Sequence, residues 1–230
     1  MLGGLATAAL TPSSCAPADS DYVSYQVNLQ KQDLRLYWKD ETNRPLQSLQ
    51  RLTAWLSGRG HRVVFAMNAG MFRPDYSPQG LFVEDGRVVA PLDTTSGAGN
   101  FYLKPNGVFY TTVDQHAVVC PTASFRYFRR ILYATQSGPM LVVRGQIHPA
   151  FTPGSSNRQI RNGVGILPNG HVLLAMSKHK VSLYEFADYF RRQGCRNALY
   201  LDGFVSRTYA PGQQWVQTDG NFGVMLAVSE

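Results

Sequence analysis

Apolar and polar positions along this chain alternate over short runs that turn residues interrupt, a pattern of many strands and few helices. DYVSYQVNLQ (21–30) alternates as a strand does, and LRLYWKD (34–40) reads as its hairpin partner. SLQRLTAWLSGRG (48–60) places Leu49, Leu52, Trp55 and Leu56 at helical spacing and stops at Gly58 and Gly60. VVFAM (63–67) reads as a buried strand. LFVEDGRVVA (81–90) predicts a hairpin turning at Asp85-Gly86. FYLKPNGVFYTT (101–112) predicts a second hairpin around Pro105-Asn106-Gly107, and GILPNGHVLLAMS (165–177) a third around Pro168-Asn169-Gly170. VSLYEFADYFRRQGC (181–195) is the best helix, with Ser182 and Glu185 spaced as a capping box and Gly194 as the stop. NALYLDG (197–203) and FGVMLAV (222–228) close the chain as short strands.

The sum is an α+β fold in one domain: a mainly antiparallel or mixed sheet with two or three flanking helices, without the strand-helix alternation of a doubly wound fold. The length of 230 residues and 44% apolar content suit one substantial core over 21–230. Residues 1–20, MLGGLATAALTPSSCAPADS, read instead as a leader, either a signal or a lipoprotein-like linker with Cys15 as a candidate lipid anchor. That expectation makes the protein exported, periplasmic or envelope-associated. No later run reaches the roughly 20 apolar residues of a membrane-spanning helix. Cys120 and Cys195 then stand as either a disulfide pair or two buried thiols.

A formal charge of +7 implies anionic partners. The basic residues are scattered in short clusters such as RYFRR (126–130) and FRRQGCR (190–196), the pattern of solvated helix faces. Nucleic acid is therefore not indicated.

Four places share one character, an apolar strand that ends in small and polar residues. They are MNAGMF (67–72), the Ser137-Gly138-Pro139 turn, RQIRNGVGI (158–166) with Arg158 and Arg161, and ALYLDGFVSRTY (198–209) with Asp202 and Ser206. Strand ends that converge fix geometry while their loops supply chemical groups. Asn68 offers both donors and acceptors, and Gly70 lets a backbone approach closely. The bland alternatives are turn formation for Ser137 and Asp202, an ion pair for Arg161 and helix capping for Glu185. TTSGAGN (94–100) has the composition of a phosphate cradle but leads into no helix and lacks the Lys-Ser/Thr ending, so it is no P-loop. The histidines show no metal-ligand spacing, and no cofactor is indicated. A divalent cation bridging a phosphate to Asp202 has no motif behind it.

In this order the motifs resemble the phosphodiester glycosidase family of uncovering-enzyme-like domains, in its bacterial periplasmic branch. They are Asn68-Ala69-Gly70-Met71-Phe72, Ser137-Gly138-Pro139, Arg161-Asn162-Gly163-Val164-Gly165, and Leu201-Asp202-Gly203 with Ser206. The likeness spans roughly 22–230. It departs at Phe204-Val205, where the animal-type pattern has glycines.

The resemblance implies a hydrolase that cleaves the bond between a sugar's anomeric carbon and a phosphodiester oxygen, with envelope glycans as the expected source of substrate. On that chemistry Arg161 grips the phosphate, Asp202 serves the oxocarbenium-like centre, and Asn68 joins them as a catalytic residue. Gly70, Ser137, Gly138, Arg158 and Ser206 bind substrate. The alternatives are a non-catalytic protein that binds anionic glycan, or a glycosyl-phosphate transferase.

Overall fold

A computed structural model describes residues 19–230. The expected leader, with Cys15, lies outside the described residues except Asp19 and Ser20, which open a short helical turn.

The strands in chain order are β1 (Tyr22–Val27), β2 (Asp33–Tyr37), β3 (Val63–Asn68), β4 (Phe82–Glu84), β5 (Arg87–Ala90), β6 (Gly107–Thr112), β7 (Ala117–Pro121) and β8 (Ile131–Ser137). They continue as β9 (Met140–Val143), β10 (Gln146–Ile147), β11 (Asn162–Ile166), β12 (Val172–Ser177), β13 (Ala198–Tyr200), β14 (Thr208–Ala210), β15 (Trp215–Val216) and β16 (Met225–Ser229). The helices are α1 (Leu49–Ser57) and α2 (Leu183–Arg192), which settles their number at two among the described residues.

Three sheets result, ordered β1-β12-β11-β13-β9-β10, β15-β14-β3-β16-β2 and β5-β4-β8-β6-β7. The pairings are antiparallel throughout. Their inner faces share one core: Val164 and Leu174 from the first, Phe65, Met67 and Leu226 from the second, Phe82, Phe109 and Tyr133 from the third. Each large side chain buried there stabilises the fold by roughly 1.5–3 kcal/mol. On its other face the first sheet carries α2, through Phe186, Ala187 and Phe190. The second sheet carries α1, through Leu49, Leu52 and Leu56. Burial on both faces explains why β12 and β16 read as unbroken apolar runs and not as alternation. Gly163 and Gly165 of β11 serve this packing, since side chains there would meet Phe186 and Phe190 of α2.

Both helices start as their sequences require. Ser48 Oγ accepts from the Arg51 N–H at 3.2 Å, and Ser182 and Glu185 complete a reciprocal capping box. The hairpins at Asp85-Gly86 and Pro168-Asn169-Gly170 form as expected.

Two others do not. β1 pairs with β12, and β2 with β16, so the turn at Asn28 is a corner between sheets: the N–H groups of Lys31 and Gln32 both donate to the Asn28 carbonyl. Alternation makes a strand without naming its partner. Phe101 and Tyr102 form a helical turn where a strand was expected. Phe101 is buried, and its carbonyl accepts from Asn106 Nδ2 at 2.9 Å, so the chain folds back before β6 begins. β6 pairs instead with β7 and β8. Cys120 and Cys195 are free thiols, and burial pushes them up to about 11 and about 12, respectively.

Candidate functional site

Two asparagines clasp the ends of β3, β11 and β13 together. Asn68, the last residue of β3, donates through Nδ2 to the Asp202 carbonyl at 2.6 Å and accepts on Oδ1 from the Arg207 N–H at 3.0 Å. Asn162, the first residue of β11, donates through Nδ2 to the Asn68 carbonyl at 2.8 Å. Its own carbonyl accepts from the Leu201 N–H at 3.0 Å, while the Asp202 N–H reaches the Ala69 carbonyl at 3.0 Å. Both asparagines are buried, so water does not compete, and each bond is worth about 1 kcal/mol net. The clasp joins the first sheet to the second and fixes the backbone that presents Asp202.

Against it lies a concavity of about 260 Å³ lined by Met71, Asn100, Asn157, Gln159, Arg161, Tyr200, Asp202 and Gly203. Arg161 forms its cationic wall although it is only 2% exposed. Its Nε donates to the Val181 carbonyl at 2.8 Å, Nη2 to the Asn157 carbonyl at 2.9 Å, and Nη1 to the Tyr200 hydroxyl at 3.3 Å. These accepting oxygens are all neutral. They orient the guanidinium, which has five N–H donors to place.

Tyr200 accepts on its hydroxyl from Arg161, which leaves its own proton to donate. Burial raises the phenol above its ordinary value, with Arg161 opposing, so it stays a neutral donor at physiological pH. A side chain at Gly203 would overlap that hydroxyl. Asp202 stands next to this pair at the head of the turn Gly203–Val205. The arrangement can hold an anion between Arg161 and Tyr200 with a carboxylate alongside. A larger concavity of about 420 Å³, beside residues 29–34 and 111–113, brings in none of the four motifs.

The expected site residues separate into lining and support. Arg161 and Asp202 line the concavity. Asn68 supports it from behind, with its side chain engaged by protein backbone. Gly70 is small for a protein reason, because a side chain there would run into Thr135 and the Gln136 carbonyl of β8. Ser137 is fully buried. Gly138 packs beneath the Asn100–Tyr102 turn and so seats Asn100 at the cavity wall. Ser206 closes the turn after Asp202 by donating to the Gly203 carbonyl at 3.1 Å.

Arg158 points elsewhere, to Glu185 of the capping box at 2.8 Å. Burial raises Glu185, but the bonds from Ser182 and Arg158 outweigh it and hold the carboxyl below its usual range. Among the described residues, no three His, Cys, Asp or Glu side chains are grouped to hold a metal ion.

The lining residues Tyr200, Asn157 and Gln159 were legible in one signal, a period of two. Asn157, Gln159 and Arg161 alternate along one extended segment, as do Tyr200 and Asp202. Asn100 brings the glycine-rich 94–100 loop to the site.

Comparison with known proteins bears on the family and the fold. The sequence profile of the family described as Phosphodiester glycosidase matches residues 61–226. YigE of Escherichia coli K12, whose function is uncharacterised, is 35% identical over 207 residues, covering 89% of this chain and 81% of that protein. The fold matches the zebrafish N-acetylglucosamine-1-phosphodiester alpha-N-acetylglucosaminidase catalytic domain, auto-inhibited by its pro-peptide, at a TM-score of 0.56 and 13% identity over 91% of this chain and 88% of that one. A Burkholderia pseudomallei K96243 protein described as a candidate exported protein matches at a TM-score of 0.60 and 12% identity, over 90% and 73% of the two chains. No helix among the described residues is long and apolar enough to cross a membrane.

Proposed function

The chain belongs to the phosphodiester glycosidase family, and we propose that it hydrolyses glycosyl phosphodiesters by breaking the bond between the anomeric carbon and the phosphate oxygen. The observation that carries this reading is Arg161, a buried guanidinium with neutral partners in the same concavity as Asp202. The diester phosphate lies against Arg161, with the Tyr200 hydroxyl donating to a second oxygen. The anomeric carbon then faces Asp202, whose negative charge stabilises the oxocarbenium-like centre as the bond lengthens. The electron pair of that bond leaves with the phosphate oxygen, which gives a phosphomonoester. Water supplies the oxygen that replaces it on the sugar, and the proton it releases goes to the departing phosphate, directly or through Asp202. A phosphate is a weakly basic leaving group, so one carboxylate suffices where ordinary glycosides need two.

Since Arg161 supplies the cation at the phosphate, the reading needs no metal, and activity should persist in excess chelator. The leader-like composition of residues 1–20 and the likeness to a candidate exported protein support work outside the cytoplasm on envelope glycans.

The test is mass spectrometry of products after incubation with a panel of sugar 1-phosphodiesters, including one of N-acetylglucosamine, with Asp202→Asn in parallel. Free sugar and phosphomonoester from the wild type, with at least a thousandfold less from Asp202→Asn, is the expected result. Binding across the panel without any product would replace the enzyme by a glycan-binding protein.

A further inference from the structure

Among the described residues six large apolar side chains are exposed, and five of them gather at one end of the third sheet: Val88, Val89, Val113, Tyr127 and Phe128. Val88 and Val89 are successive residues of the edge strand β5, and both are open. The Tyr127 hydroxyl donates to the Gly86 carbonyl at 3.1 Å, which brings the aromatic loop against the β4–β5 turn. The Val113 N–H donates to the Arg130 carbonyl at 2.9 Å, which brings in the β6–β7 turn. Scattered apolar side chains need no explanation, but a contiguous group marks an interaction surface.

The third sheet also differs from the other two in its cover. They carry α2 and α1 on their outer faces, whereas its outer cluster is closed by Phe125 and the chain that follows. That chain is RYFRR (126–130), whose composition reads as a solvated helix face. It is no helix: it runs as a loop from the helical turn Thr122–Ser124 to β8, with all five residues exposed. Phe128 meets Tyr110 edge-on, with centroids 6.1 Å apart, and is still 41% exposed.

Cations frame the two aromatics. The carboxylates at this end are engaged, Asp114 with Arg130 and Asp85 with the Tyr133 hydroxyl, while Glu84 faces Arg87. Arg126 and Arg129 form no ion pair among the described residues. Arg126 donates instead to the neutral carbonyls of Ala123 and Phe125, at 3.1 and 2.7 Å.

Exposed rings between unpaired arginines fit one kind of surface. Aromatic side chains favour the headgroup level of a bilayer, and arginine favours its anionic lipids. A second copy of the chain fits poorly, because a two-fold axis through this face would bring the same arginines together.

We propose that this face seats the protein on a bilayer rich in anionic phospholipid. Tyr127 and Phe128 enter the headgroup layer, and Arg126 and Arg129 hold phosphates. β8 runs from Ile131 at this face to Ser137, just before the Gly138 that seats Asn100, a span of about 20 Å. Docking therefore leaves the Arg161 concavity open to water, and it does not depend on the proposed reaction.

The experiment is co-sedimentation of the full chain with vesicles of phosphatidylcholine, alone or with an equal share of phosphatidylglycerol. Binding should be about tenfold tighter to the anionic vesicles and should weaken as salt is raised. Tyr127→Ser with Phe128→Ser, and separately Arg126→Gln with Arg129→Gln, should each lose about tenfold in affinity. Melting temperature should be unchanged, because these side chains are exposed. Phe128→Trp should gain a fluorescence signal that brominated acyl chains quench. Equal binding to both vesicle types, no binding, or no quenching in Phe128→Trp would overturn the proposal. So would wild-type affinity in both double variants, which would assign the binding to another part of the chain. Self-association that the same substitutions abolish, without vesicle binding, would give the face to a second copy instead.

Discussion

Arg161 is both a structural and a cavity-lining side chain. Its guanidinium joins Val181, Asn157 and Tyr200, and it lines the cavity with those bonds in place. Arg161→Lys keeps the charge but loses the fork that reaches these oxygens. We expect a drop in kcat/KM of about a hundredfold, with about 2–4 kcal/mol of stability lost to unsatisfied buried acceptors, read by steady-state kinetics and urea denaturation. Arg158→Ala should leave kcat/KM within about twofold, because its partner is an exposed-edge ion pair worth at most about 1 kcal/mol. Gly203→Ala forces a methyl group onto the Tyr200 hydroxyl, so activity should fall even though the carboxylate beside it is untouched. At this scale the sequence was half legible. Arg161 and Asp202 stood out by charge at strand ends. The small size of Gly70 also stood out, but its cause did not, because Thr135 and Gln136 lie far along the chain and only the folded sheet brings them near.

At the scale of elements, the loop held by His148 predicts a pH dependence. Burial lowers this imidazole below its ordinary value near 6.5, with the Lys104 bond opposing. The folded chain therefore binds fewer protons there than the unfolded chain. Its contribution to stability is full above the ordinary value and is lost as pH falls through it toward the lowered one. Melting temperature should decline between about pH 7 and pH 5, and His148→Gln should flatten that part of the curve. A His148→Gln profile as steep as wild type would assign the decline to other groups. The capping box at Ser182 and the turns at Asp85-Gly86 and Pro168-Asn169-Gly170 were legible because they are local, set by residues within four positions of one another. The pairing of β1 and β2 with distant strands was not, since hydrophobic alternation records which face is buried and nothing about the neighbour. The strand expected at Phe101 failed for a related reason, as the Asn106 side chain recruits its carbonyl into a turn.

For the whole molecule, the site exists because three sheets share one core and two of them meet at the Asn68–Asn162 clasp. Asn162→Ala should loosen that seam by about 1–3 kcal/mol and lower kcat more than it raises KM, because it disturbs where Asp202 stands more than what binds. Strand ends finishing in small and polar residues suggested a convergence, and Arg161 and Asp202 do line one concavity. The clasp itself needed the fold, because its members lie on strands of different sheets. The central claim is that the bond broken is the one at the anomeric carbon. Hydrolysis of the cleaved sugar phosphodiester in heavy-oxygen water, followed by mass spectrometry of both products, tests it most directly. The account predicts the heavy oxygen in the freed sugar and none in the phosphomonoester. Heavy oxygen in the phosphomonoester would mean attack at phosphorus, and would contradict the assignment of Asp202 to the anomeric centre.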